Sequence, residues 1–259
     1  MKKSLLMSGL CVAAALMSQS ALAEVKIRAG AGSSTYELSG DYITAKSTYS
    51  PATIGATFSW GSGATGGYVD LAYSGGTGTH DGWAYIGAPE QSFKRSDIAL
   101  TGGVVFLNQN NGIAGNVYVG LKGGSTTLGA NSAALITNLG YSASTTWTEE
   151  KFDTAGIIFG GGVSFPIAGG RAGSAGVNLG IGIMSATWKD NSVAGFDVKS
   201  NTAVGGSVGV NYTFPFSSHF GVTADYKYQS YSYNFGDTAT PFTVDEKFST
   251  LMGTLYVKF

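Results

Sequence analysis

Leu251-Met252-Gly253-Thr254-Leu255-Tyr256-Val257-Lys258-Phe259 decides the fold of this chain, because it alternates apolar residues with small or polar ones and ends on an aromatic. Successive strand residues point to opposite faces, so Leu251, Gly253, Leu255 and Val257 make one oily face, and Thr254 and Lys258 lie on the other. Four earlier segments repeat the pattern. They end at Trp60, Phe106, Phe165 and Phe214, and counting back by twos gives Phe58, Ala56 and Ile54; Val104, Gly102, Leu100 and Ile98; Val163, Gly161, Phe159 and Ile157; and Tyr212, Val210 and Val208. Five strands returning to one level with an aromatic at each end is the pattern of a transmembrane β-barrel, whose oily face meets lipid and whose aromatics gather at the headgroups. Trp60, Phe106, Phe165, Phe214 and Phe259 are thus expected to form a girdle at one interface.

Five returning strands need five outgoing ones. Val25 to Ala31, Gly67 to Tyr73, Ile113 to Leu121, Val177 to Ile183 and Phe220 to Tyr228 fill the gaps, giving an all-β, antiparallel up-and-down barrel of about ten strands, an even number as bacterial barrels require. Eight or twelve strands are the alternative counts, since residues 124–150 have room for a further hairpin. Connections after the aromatic-ended strands are short and turn-rich, as in Gly61-Ser62-Gly63 and Asn111-Gly112. Those at the other end are long, about residues 35–48, 74–93, 124–150, 189–199 and 234–246, which matches short periplasmic and long extracellular connections. A β-propeller has a similar spacing, but no Trp-Asp repeat is present and the alternation is one-sided.

Residues 1–23 read as a secretory signal, with Lys2 and Lys3, an apolar run through Leu10 to Met17, and Ala21-Leu22-Ala23 before Glu24. The apolar run is too short to span a bilayer as a helix, which takes roughly 20 residues. The barrel is expected to occupy 24–259. The only cysteine, Cys11, lies in the signal, so the mature chain has no disulfide chemistry. A formal net charge of −1, shifting to about −3 without Lys2 and Lys3, gives no basic excess for nucleic acid. Forty glycines among only 12% charged residues would suit low complexity, but 43% hydrophobic residues argue for a curved, packed sheet.

The terminal nonapeptide resembles the C-terminal assembly signal of Gram-negative outer-membrane barrels, carried here by Leu251, Leu255, Val257 and Phe259, with Val257 where many members have an aromatic. The resemblance implies export through the periplasm, recognition by the barrel assembly machinery, residence in the outer membrane, and contact with its lipid and lipopolysaccharide. It names a superfamily and no ligand.

Following the alternation inward gives a lumen set of Lys26, Arg28, Asp70, Arg95, Asp97, Asn116, Lys122, Asn178, Asn211, Asp225, Lys227 and Lys258. In a barrel this narrow, side chains of both signs either pair into a plug or line a constricted polar path. His80 beside Asp81 in Thr79-His80-Asp81-Gly82 is similar to the Asp-His pair of the omptin proteases, without a matching acidic pair; a polar loop turn is the plainer reading. His219 falls at the opposite end and cannot cooperate with it. Gly61 to Gly66 spells GxGxxG, but a strand follows where a nucleotide fold needs a helix. No Cys/His cluster, Walker motif or calcium loop is present, so no cofactor or metal is expected. Trp83, Tyr85, Phe93, Tyr141, Trp147, Phe152 and Phe235 read as loop binding aromatics or packing anchors, and Tyr231 and Tyr233 as outer girdle. The function expected is a non-enzymatic envelope protein with a largely plugged lumen and specificity in its extracellular loops; the alternatives are a narrow channel or uptake protein for small solutes, then an envelope enzyme.

Overall fold

The structure, a computed structural model, describes residues 23–40, 44–81, 91–129, 149–190, 197–236 and 241–259. The expected signal, Trp83, Tyr85, Tyr141, Trp147 and the site of a possible extra hairpin lie outside the described residues.

Strands follow one another around a closed antiparallel ring: β1 (Glu24–Gly40), β2 (Thr44–Tyr49), β3 (Ala52–Ser62), β4 (Thr65–His80), β5 (Gln91–Leu107), β6 (Ala114–Gly129), β7 (Glu149–Pro166), β8 (Ser174–Asp190), β9 (Asp197–Lys199), β10 (Ala203–Pro215), β11 (Phe220–Phe235) and β12 (Phe242–Lys258). β2 and β3 are two halves of one stave, broken at Ser50-Pro51, since both pair with β1 and with β4. β9 extends β10 along β8 in the same way. The wall therefore has ten staves, and β12 against β1 closes it, from Lys26 opposite Lys258 to Gly40 opposite Val244. Closure leaves no open edge, so among the described residues each stave, apart from the break at Ser50-Pro51, pairs its backbone with both neighbours, the condition for spanning lipid with strands.

Both ends of the ring follow from turn chemistry. At the end holding the described termini, β3 and β4 join through Gly63 and Ala64, with Gly61 and Gly63 at positive φ where other residues would be strained. The expected GxGxxG is this hairpin. Asn108 and Asn111 each cap a backbone N–H two residues on in the β5–β6 turn. Trp60, Phe106, Phe165, Phe214 and Phe259 all lie at this end of their strands.

The outer face carries the apolar belt that the alternation predicts. Ile54, Ile98, Leu100, Leu121, Ile157, Phe159, Leu179, Ile181, Val208, Leu251 and Leu255 are exposed, Leu255 to 65%. No water-soluble wall would present such a ring, and exposed apolar area of this extent marks a membrane surface.

The strands run well past that belt, which corrects the expected long loops. β1 continues to Gly40 and β2 starts at Thr44, so 35–48 is mostly hairpin; β4 and β5, β8 and β9, and β11 and β12 likewise take up parts of 74–93, 189–199 and 234–246, while most of 124–150 lies outside the described residues. Beyond the belt the polarity of the faces reverses while the register holds. On β12, Leu251 and Leu255 point out, but higher up Lys247 and Asp245 point out while Phe248, Glu246 and Val244 turn in. On β11 the switch falls between Tyr228, exposed, and Tyr231, Tyr233 and Phe235, buried. Water replaces lipid outside the wall at that height, so the apolar side chains gain by facing inward.

Candidate functional site

The inward apolar residues of the outer half make the one hydrophobic core among the described residues. Tyr36, Tyr49, Phe93, Phe152, Trp188, Tyr231, Tyr233, Phe235 and Phe248 pack across the bore with Leu38, Leu128 and Met184. Phe152 on β7 meets Tyr233 on β11 edge-on at 5.4 Å between centroids, and Tyr36 on β1 meets Phe93 on β5 at 5.3 Å. Tyr231 and Tyr233 are therefore lumen residues and not girdle, and Phe93, Phe152 and Phe235 are core residues and not a free loop surface. The reason is the polarity reversal above the belt.

Arg95 lies within this core, fully buried. Its Nη1 donates to Glu246 Oε1 at 2.5 Å and to Thr126 Oγ1 at 2.6 Å; Nε and Nη2 grip the Asp97 carboxylate at 2.9 and 2.6 Å. Glu246, also fully buried, accepts further bonds from the hydroxyls of Tyr36 and Tyr233, both at 3.2 Å. The guanidinium stacks near the rings of Tyr36 and Phe248. Because β5 and β12 are nearly opposite in the ring, this pair is a strut across the bore. Burial and the adjacent Glu246 carboxylate push the Tyr36 hydroxyl well above its ordinary range, so it stays a donor. One step lower, Lys122 on β6 reaches across to Gln229 Oε1 on β11 at 3.2 Å and lies 4.6 Å from the Phe248 ring centroid on β12. Glu246 was not among the residues expected in the lumen. The signal that would have found it is the inward parity of Val244, Glu246 and Phe248, which extends that of Met252.

Below the strut the bore opens. A polar cavity of about 580 Å3 is lined by Lys26, Arg28, Asp70, Asn116, Asn178, Asn211, Asp225 and Lys227, with Thr57, Tyr68, Tyr118 and Ser207 among its walls. Arg28 and Asp70 form a two-pronged pair at 2.6 and 2.8 Å, and Thr57 donates to the same carboxylate. Asn116 on β6 and Asn178 on β8 both face Gly162 of the β7 stave between them, and Asn211 on the adjacent β10 lies opposite Gly176 of β8. Asn116 Oδ1 has no hydrogen-bond partner among the described residues. A smaller pocket of about 190 Å3 between the cavity and the strut includes Asp97, Lys122, Lys227 and Phe248. Lys258 sits at the terminus-bearing end, 3.3 Å from the Glu24 carboxylate.

His80 is not in a loop. It ends β4, buried, with Nε2 donating to the Gly129 carbonyl at 2.9 Å. Burial lowers the imidazole pKa, against the opposing pull of Gly129 and Asp81. The Asp81 carboxylate accepts from the Lys46 backbone N–H at 2.7 Å. His219 is exposed in the β10–β11 turn, its Nδ1 at 3.1 Å from the Lys258 carbonyl. No group of three metal-ligating side chains is found among the described residues.

No protein-family profile matches the chain, and no curated protein matches it. Among solved structures, the outer-membrane protease OmpT from Escherichia coli aligns with a TM-score of 0.56 at 12% identity, over 93% of this chain and 98% of that one. The translocator domain of the autotransporter NalP from Neisseria meningitidis gives 0.48 at 12% identity, over 98% and 94%. Ail of Yersinia pestis gives 0.38 at 13% identity, over 92% and 99%. Only the first of these is near enough to bear on the architecture, and at such identity it speaks for the fold and not for an activity. With its closed ring of ten staves and its lipid-facing apolar belt, this chain is a transmembrane β-barrel whose fold is similar to that of OmpT.

Proposed function

We propose that this protein is a non-enzymatic envelope barrel whose bore is shut in its outer half and whose specificity resides on the extracellular rim. The observation that carries the reading is the Arg95–Glu246 strut inside an aromatic core: a fully buried ion pair spans the bore where a conducting pore would need water. Buried charges persist when they are paired and hydrogen-bonded, and both are here. The engagement of the His80 imidazole with Gly129, and of Asp81 with the Lys46 amide, supports a structural role for the motif that is similar to a protease pair.

Planar-bilayer recording on the refolded mature protein, residues 24–259, tests the reading. Wild-type protein is expected to insert without conductance steps, and Phe152→Ala/Tyr233→Ala, which removes the central edge-on ring pair, is expected to give them. Reproducible ion-selective steps from the wild-type protein would overturn the closed bore.

A second reading, a narrow channel or uptake protein for small solutes, draws on the polar cavity. Lys227 and Asp225 face it, and neither has an ion-pair partner among the described residues. Polar groups converging on a cavity are what solute sites are made of. On this reading the outer core is a gate that opens.

A further inference from the structure

The broken stave leaves a mark on the outer wall. Tyr49 is opposite Gly78 and Ala52 is opposite Gly75, so Ser50 and Pro51 pass Gly76 and Thr77 with no ladder pairing between them. Proline has no N–H to give a ladder. Gly75 shares the outward parity of Tyr73 and Thr77 and adds no side chain. A groove of about 340 Å3 results, lined by Ala52, Ile54, Tyr73, Gly75, Lys94 and Ser96 among others. Ile54 and Tyr73 are exposed members of the lipid-facing belt at its outer margin, whereas Thr77, Ser96 and Lys94 belong to the polar wall above it. The groove therefore straddles the level where acyl chains give way to headgroups.

Charge selects the occupant. Elsewhere on the outer wall, Lys151 and Lys189 lie 3.3 and 3.8 Å from Asp153, and Lys247 lies 4.0 Å from Glu37, while Lys46 and Lys199 are exposed without an ion pair among the described residues but do not line the groove. Lys94 is exposed and has no carboxylate partner among the described residues. A lone cation over an apolar groove at the headgroup level is complementary to a phosphate above an acyl chain.

We propose that the groove over Gly75 is a binding site for one phosphorylated, acylated lipid of the outer leaflet, with an acyl chain against Ile54, Tyr73 and Gly75 and a phosphate at Lys94. The site rests on the reading of the barrel as an outer-membrane protein. Gly75 supplies a direct handle: a Cβ there would lie 3.1 Å from the Tyr73 hydroxyl, the free end of a flexible side chain, and 3.4 Å from the Arg95 carbonyl, so a larger residue fills the groove with little strain on the wall.

Native mass spectrometry of the mature protein, released from detergent after incubation with an equimolar mixture of bisphosphorylated lipid A and phosphatidylcholine, tests it. Wild-type protein is expected to retain one lipid A. Lys94→Ala should lower that occupancy about fivefold, the weight of one basic side chain at a charged lipid surface. Gly75→Phe should abolish it, while Lys189→Ala, on the compensated part of the wall, should not change it. Folding of each variant is read from heat-modifiable gel mobility. Equal retention of phosphatidylcholine, an unchanged Lys94→Ala, equal losses in Lys189→Ala, or a dimer in place of the lipid adduct would each overturn the site. Insertion into vesicles separates the two readings: a barrel that inserts but holds no lipid refutes the groove alone, and one that does not insert refutes the outer-membrane placement.

Discussion

Removing the positive end of the strut should cost far more than neutralising its negative end. Arg95→Met deletes the guanidinium and leaves Glu246 and Asp97 in the bore without their shared cation. The side chains of Arg95 and Glu246 are each only 1% accessible, so solvent screening gives no discount. Breaking a buried pair by removing one partner costs about 3–5 kcal/mol, and here two carboxylates are orphaned, placing Arg95→Met at the upper end. Glu246→Gln is different. Arg95 keeps both bonds to Asp97, the Gln carbonyl can still accept from Nη1, and the Tyr36 and Tyr233 hydroxyls can turn to accept from the new amide. Its cost should be that of a charge-assisted hydrogen bond, about 1.5–3 kcal/mol. The double variant should be more stable than the sum of the two losses, by a coupling of about 0.5–3 kcal/mol, because Glu246 is no longer a stranded charge. Reversible urea unfolding of residues 24–259 in lipid vesicles, followed by tryptophan fluorescence, measures all three. Equal losses for Arg95→Met and Glu246→Gln, or strict additivity, would refute the strut as an energetic unit.

On the lipid-facing belt, Val208→Arg and Leu255→Arg should impair folding into lipid by roughly 2–4 kcal/mol near the midplane, and Ser207→Arg, beside them in sequence but lining the cavity, by much less; equal sensitivity would contradict the assigned faces. Acid should weaken the outer end through His80. Its folded pKa lies below 6.5, so the unfolded chain binds more protons as pH falls: the imidazole's contribution is whole above about pH 6.5 and is lost as pH drops through the folded value. His80→Gln keeps a donor for Gly129 and should flatten that part of the pH profile, and an unchanged slope in unfolding titrations would exclude the mechanism. In the Phe152→Ala/Tyr233→Ala background, Lys227→Glu should shift the reversal potential toward cations in a salt gradient, since Lys227 faces the cavity below the breach.

How far the fold was legible depends on height along the barrel. Within the bilayer the solvent on each side of the wall differs sharply, so residues such as Ile98 and Leu100 against Ala99 and Thr101 declare their faces in a plain alternation, and Trp60, Phe106, Phe165, Phe214 and Phe259 lie at one end of the ring. The ring of ten followed from counting those segments. Above the bilayer both clues fail together. Tyr231 and Tyr233 alternate as regularly as Tyr226 and Tyr228, yet they point the other way in effect, because outside the membrane the apolar face is the inner one. A sequence shows the period but not the height at which lipid ends. The switch is visible in retrospect, as outward Ser230, Ser232 and Asn234 replace outward aromatics on β11.

The chain by itself determined the strand period, the lipid-facing side of each stave, the short turns at one end and the residue types available to the lumen. Which of those lumen residues meet was decided only by closure of the ring. Arg95 and Glu246 are 151 residues apart, and their contact exists because β12 pairs with β1 and thereby brings β5 and β12 to opposite sides of one narrow bore. Parity along a strand is local chemistry, set by where each side chain finds oil or water. Partnership across a bore depends on circumference and stagger, which belong to the whole ring and are written in no single segment.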